Sequence, residues 1–440
     1  MIVNEIRIEN TGIQGLQSLA ESLPDRTTLS SSDEIVFNFA GRDFVYLTGL
    51  VLLAAYRNSL PTGVRVRVDD TRCPSATQNL ITNCGFREVV ETGHENPSAQ
   101  RRLGRLPLRP LSNRLNKDSA VQEITSIFEE YSGHLADPRP LTTIIGELCE
   151  NALTHSEFAS PSYVCARVLE GAEKRSVKIA ICDSGIGFRR SYHDGTNDEV
   201  KARITRGASP IELALDGFNS SKPVATSKSI LSYYGFGLYI TRMLVERNRG
   251  QLLILSHGDG IQLSYMSKRN LTLNNAFPGT FVAVVLDPDN PLPLEEIYED
   301  AVHSYVGDET PNSKVAPSSK IKSIRPHSDP MVAGKPETPD IGHLEPSVLE
   351  LKHFGTELLT RETGLAVRAE LATQILLRRR VIVDLDGISD ITPSVADEAF
   401  AKLAEGLGLE TFEMSVEFRG GTSLAKRLID FVMKTRLKKG

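Results

Sequence analysis

The chain has few cysteines, no long apolar run and no surplus of positive charge, and each shortage excludes something. Its five cysteines, Cys73, Cys84, Cys149, Cys165 and Cys182, stand at no metal-ligand spacing. Their odd number and apolar surroundings fit free thiols in a reducing compartment rather than a disulfide framework. The longest apolar stretch, YLTGLVLLAAY from Tyr46 to Tyr56, has about half of the roughly 20 residues that cross a bilayer, so no membrane span is expected. The opening residues MIVNEIRIEN lack the cationic-then-apolar plan of a secretory signal, and a cytoplasmic protein is expected. Fifty Lys and Arg against 56 Asp and Glu leave a net charge of -6, which argues against a nucleic-acid binder with a basic surface all round. One local concentration of cations stands at 101–117: Arg101, Arg102, Arg105, Arg109, Arg114 and Lys117. It reads as a solvated connector stiffened by Pro107 and Pro110, although nucleic-acid contact through it is not excluded. The tail cations Lys434, Arg436, Lys438 and Lys439 read as a frayed helix end, where positive charge suits the dipole.

What is present is an ordinary globular composition, 40% hydrophobic and 24% charged over 440 residues, enough for two to four domains. Strand-like and helix-like runs alternate, so the fold class is α/β. The expected division is a small α/β domain at 1–98, the basic connector at 99–118, a larger α/β domain at 119–290, a Pro-rich linker at 291–346, and a third α/β domain at 347–440. A weak repeat relates 36–55 to 382–401: each has a strand, a glycine, a short loop and a helix, and Thr48 falls on Ser394.

Within 119–290 the stretch GELCENALTHS places Glu147, Asn151 and His155 at four-residue intervals in an apolar helix. Such a row lies roughly along one face. A carboxylate, an amide and an imidazole there are costly if merely buried, so the row faces either solvent or a polar site. Downstream, ICDSGIGF ends an apolar strand in Asp183 followed by Gly185 and Gly187. YYGFGLY places Gly235 and Gly237 at a helix start, and FPGTFVAVV puts Gly279 and Thr280 at the start of a strand.

Each piece alone is weak, but their order and spacing resemble the gyrase-type, histidine-kinase-type and chaperone ATPases. The signatures of that superfamily are an E-x-x-x-N helix, D-x-G-x-G, G-x-G-L and a late G-T, and the resemblance covers about 115–290. It implies a Bergerat-type α/β sandwich that binds ATP and Mg2+. It implies Asp183 as the acceptor for the adenine amine, and Gly185 and Gly187 as the backbone that approaches the ring. Asn151 would hold magnesium beside the phosphates, with Gly235, Gly237 and Leu238 at the phosphate-binding turn and Thr280 near the adenine. Glu147 would orient or deprotonate a nucleophile. The chemistry of each residue type agrees: magnesium takes hard oxygen ligands, a helix start offers N–H groups to phosphate, and a carboxylate can serve as base. His155 is read as structural. The stretch 188–234 would be a lid, within which Lys222 could reach a phosphate.

Two departures narrow the family. None of the nine histidines sits in a phosphoacceptor context, so a sensor kinase is disfavoured. The gyrase-like enzymes follow the ATPase with a transducer domain, where this chain has a Pro-rich stretch. Residues 347–440, with LKHFGTELLTRETGLAVRAEL and VIVDLDGISDITPSVADEAFAKL, resemble STAS-like domains, relatives of anti-sigma-factor antagonists, and 1–98 looks like a divergent version. The expected architecture is therefore the ATPase sandwich flanked by two small STAS-like domains. In the antagonists a Ser or Thr at this helix start is phosphorylated, which makes Ser394, beside Thr392, a candidate phosphosite. The bland reading of Ser394 is a helix N-cap with Asp397 three residues on, and Pro393 departs from the antagonists' motif.

Three functions compete: an ATP-binding and hydrolysing switch that signals through STAS-like domains to a protein partner, a serine/threonine kinase of anti-sigma type acting on a STAS-like domain, and a nucleotide-binding scaffold. The switch leads, and an ATPase or kinase activity is favoured because a pure binder has no need of Glu147. A homodimer is a reasonable expectation from the family.

Overall fold

A computed structural model describes residues 2–39, 41–93, 103–132, 139–155, 161–171, 175–195, 198–216, 236–293, 296–297, 346–376 and 380–437. Most of the Pro-rich stretch at 291–346 lies outside them. The chain forms two compact units, Met1–Ile297 and Tyr298–Gly440.

In the first unit, strands β1 (Val3–Arg7), β2 (Glu34–Asn38) and β3 (Arg65–Asp69) form a parallel sheet with β2 in the middle. Helices α1 (Leu16–Glu21), α2 (Leu47–Asn58), α3 (Ser75–Asn83) and α4 (Phe86–Thr92) connect and cover it. The break between α3 and α4 falls at Gly85, in the left-handed region at φ 82°, a conformation glycine adopts without a Cβ penalty. Every residue of α2 from Leu47 to Tyr56 is buried. A helix apolar on all sides needs a second partner besides its own sheet, and that partner is the next sheet along the chain.

That sheet has the order β4-β5-β6-β8-β7, from β4 (Arg105–Leu111), β5 (Ser162–Glu170), β6 (Arg175–Cys182), β7 (Gln251–Ser264) and β8 (Ser267–Leu286), all antiparallel. Alternate residues divide its two faces. Tyr163, Cys165, Ala180, Cys182, Phe281, Ala283, Leu253 and Leu255 join one hydrophobic core with α2 and the N-terminal sheet. Cross-strand partners place them in two rows, Cys165–Ala180–Ala283–Leu253 and Tyr163–Cys182–Phe281–Leu255. At the seam the Arg167 guanidinium lies 5.0 Å from the centre of the Phe44 ring and the Lys178 ammonium 4.8 Å from that of Tyr46, favourable cation–π contacts. The opposite face is covered by α5 (Arg114–Tyr131), α6 (Arg139–His155) and α10 (Phe236–Arg247). Between β6 and α10 run α7 (Gly187–Asp194), α8 (Asp198–Thr205) and α9 (Pro210–Leu215), within the stretch expected to form a lid.

The basic connector expected at 99–118 is corrected here: 105–111 is β4, and α5 starts at Arg114. Its prolines are tolerated because β4 is an edge strand, where a missing N–H need not break a ladder. The ladder with β5 shifts register between Leu106 and Arg109, across Pro107.

The second unit repeats the parallel arrangement. Strands β9 (Ser347–Glu350), β11 (Val381–Asp384) and β13 (Val416–Arg419) pair with β11 in the middle, and β10 (Glu357–Leu358) pairs with β12 (Asp390–Ile391). Helix α11 (Arg361–Leu376) precedes β11. After β12 come α12 (Pro393–Ala396), a π-helical turn at Asp397–Ala401, α13 (Lys402–Leu407), α14 (Leu409–Ser415) and α15 (Ser423–Leu437). The two stretches of the weak repeat each contribute the central strand of a three-stranded parallel sheet. Thr48 and Ser394 are each the second residue of the helix that follows the central strand.

Two local expectations fail in this unit. The N-cap is Thr392, whose Oγ1 accepts from the Val395 N–H at 3.4 Å, and Ser394 is an interior position. Pro393 decides this: it takes the first helical position, where its fixed φ and missing N–H cost nothing, so the cap falls on the residue before it. Arg436 is not part of a frayed end. Its side chain is 7% exposed and binds Asp397 at 2.6 Å and Glu405 at 2.8 Å.

Candidate functional site

Asp183 follows directly on β6 and is 3% exposed. Its own N–H donates to the Thr280 carbonyl at 3.0 Å, extending the ladder by one rung. Its Oδ1 accepts from the Gly185 N–H at 2.8 Å and the Thr280 N–H at 3.2 Å. No hydrogen bond to Oδ2 is present among the described residues. Burial pushes the carboxyl up to about 7, against the opposing pull of those two N–H donors. Gly279, at φ 85°, lies against this turn: a Cβ there would run into the Asp183 carbonyl. D-x-G-x-G and the late G-T, far apart in the chain, therefore close on each other through backbone, and Thr280 stands beside Asp183.

The second pair of motifs meets on the helices. Glu147 on α6 faces Gly237 on α10, where a Cβ would lie 2.9 Å from Glu147 Oε2. The glycine makes room for the carboxylate. Oε2 is buried with no hydrogen-bond partner among the described residues, and burial, reinforced by the nearby Glu150, raises the Glu147 carboxyl to about 8. A buried, unpaired acceptor is costly, and it suits a site that a donor, a water or a cation completes. Asn151, one turn further along α6, is partly exposed. Lys117 on α5 donates to Glu150 at 2.9 Å. Burial opposes its charge, yet Glu150 holds it above the usual lysine range. Leu238 is buried at 8% exposure on α10. Among the described residues no three His, Cys, Asp or Glu side chains cluster as metal ligands; the donors suited to magnesium are instead the Asn151 amide oxygen and the phosphates it would accompany.

Lys222 and Gly235 lie outside the described residues, as does the side chain of His155. Ser394 belongs to the other unit. It is 8% exposed, with Oγ at 2.9 Å from Thr392 Oγ1.

The site also contains two residues that motif reading missed. Ser256 Oγ donates to the Gly279 carbonyl at 3.1 Å and accepts from the Phe188 N–H at 3.1 Å. His257 Nε2 donates to the Ile186 carbonyl at 2.8 Å. Their only sequence signal is a polar pair, Ser-His, closing the apolar run LLIL before Gly258.

The model of the histidine kinase-, DNA gyrase B-, and HSP90-like ATPases matches residues 136–288, and that of a STAS-like domain of unknown function matches 364–423. Neither covers 1–98. No curated protein and no solved structure matches the chain. Among the described residues no helix is long and apolar enough to cross a membrane. Residues 136–288 are a domain of the histidine kinase-, DNA gyrase B-, and HSP90-like ATPase family, joined in one chain to a C-terminal STAS-like domain.

Proposed function

We propose that this protein is an Mg-ATP-driven switch whose nucleotide state is relayed through its STAS-like module to a protein partner. The observation that carries the nucleotide reading is Asp183: a buried carboxylate with Oδ1 taken by two backbone N–H groups and Oδ2 left for an amine donor. Adenine supplies such a donor. Asn151 would hold the cation, and Gly237 with the start of α10 would receive the phosphates on N–H groups and a positive dipole end. Bound magnesium would neutralise phosphate charge and, as a nearby cation, favour the ionised form of Glu147. Glu147, whose carboxyl burial raises to about 8 in the free protein, would then orient and deprotonate the attacking water. A pure binder needs no such base.

The kinase alternative loses ground at its internal target. Ser394 is 8% exposed and paired with Thr392, behind Pro393. The two readings separate on the fate of the γ-phosphate. With γ-labelled ATP and the full chain, label should appear as free phosphate, and the protein should stay unlabelled. Stoichiometric labelling that disappears in Ser394→Ala would replace the switch by the kinase. The partner should be captured differently in ATP and in ADP.

A further inference from the structure

The segment from Asp183 into the first turn of α7 is held by residues that lie outside the family motifs. It is tied to β7 at three points: Phe188 N–H to Ser256 Oγ at 3.1 Å, Ile186 carbonyl to His257 Nε2 at 2.8 Å, and Arg189, just beyond, to Asp259 at 2.9 Å. Ser256 continues to the Gly279 carbonyl at 3.1 Å, so one hydroxyl joins both halves of the turn around Asp183.

The strand deforms to make these contacts. The β7–β8 register shifts on both sides of His257, a bulge, and His257 has φ 53°. Bulges re-aim side chains, and a non-glycine residue with positive φ is strained unless its surroundings hold it there. Gly187 explains the aim. Its φ is 67°, and a Cβ there would strike the His257 ring. The space opened by the second glycine of D-x-G-x-G is filled, from the β7 side, by an imidazole.

We propose that His257 and Ser256 are positioning residues of the nucleotide site: they clamp the 183–188 loop in the shape that presents Asp183 to the base. The proposal rests on the nucleotide reading above and extends it to residues outside the motifs. The mechanism is preorganisation. Gly185 N–H bonds Asp183 Oδ1 only while the loop keeps its turn, and the Ile186 carbonyl, one residue on, fixes that turn through the imidazole. A loop freed at Ile186 and Phe188 must be ordered again by each nucleotide that binds, which lowers affinity.

The test measures Mg-ATP affinity by calorimetry on the full chain. His257→Gly keeps the positive φ without strain and removes the whole side chain, Cβ and imidazole together. Affinity should fall by about tenfold, in the range for losing one ordering hydrogen bond, and millimolar imidazole should restore it by refilling the space beside Gly187. A purely structural role would not produce that rescue. If His257→Gly fails to fold, Ser256→Ala, which leaves the backbone alone, carries the same expectation of a several-fold loss. His257→Gly binding within twofold of wild type, or a loss that imidazole does not reverse, overturns the clamp while the nucleotide reading stands. So does unchanged affinity in Ser256→Ala. A wild-type protein that binds no ATP overturns both.

Discussion

Replacing Glu147 by glutamine tests the site through stability as well as through turnover. In the folded, nucleotide-free protein the Glu147 carboxyl is raised from 4.5 to about 8, first by burial and then by Glu150, with Lys117 opposing. A carboxyl whose folded pKa lies above its unfolded one keeps its proton in the fold, so its contribution to stability declines as pH rises from about 4.5 and levels off above about 8. At pH 7 the unfolded chain would be ionised there and the folded chain mostly protonated, an upper cost of about 3 kcal/mol. Glu147→Gln has no such titration. Its stability advantage over wild type should be small near pH 4.5, grow through neutrality and flatten above pH 8, offset in part by the new amide protons at the Oε2 position, which has no partner among the described residues. Chemical denaturation of both proteins at several pH values reads this directly. ATP turnover should be lost in the same variant while Mg-ATP still binds, since Asn151 and Asp183 are untouched. A stability difference independent of pH would refute the desolvated carboxyl, and wild-type turnover in the variant would remove Glu147 from catalysis.

Asp183→Asn should weaken ATP binding by more than ~2 kcal/mol, because an amide N–H₂ can be presented where an acceptor is required; calorimetric affinity within a few-fold of wild type would sink the adenine assignment. Arg436→Met should destabilise the C-terminal unit by about 3–5 kcal/mol, since it leaves Asp397, 3% exposed, without its partner. Adding Asp397→Asn should recover part of that loss, and a single variant as stable as wild type in denaturation would show that the buried pair is dispensable.

The make-up of the candidate site was legible in the linear sequence because it depends on residue types at short, fixed spacings. Glu147 and Asn151 share a helix face by periodicity alone, and Asp183, Gly185 and Gly187 are neighbours along one turn. The STAS-like unit was legible for the same reason, since β11 and the helix after it lie within one short window. What the sequence left undecided hinges on partners distant in the chain. The segment 105–111 reads as a charged, Pro-bearing connector until β5 pairs with it, Arg105 opposite Arg167 and Leu111 opposite Ser162. The apolar stretch from Leu47 to Tyr56 is too short for a membrane, but only the ATPase sheet behind it explains burial on every side. Arg436 looks like a solvated tail cation until Asp397 is brought to 2.6 Å. His257 carries no motif at all: its role arises where a bulged strand meets the gap left by Gly187. Periodicity and capping act over a few residues and can be read in line, whereas strand pairing, burial and the filling of a glycine's open side are settled by groups that only folding makes neighbours.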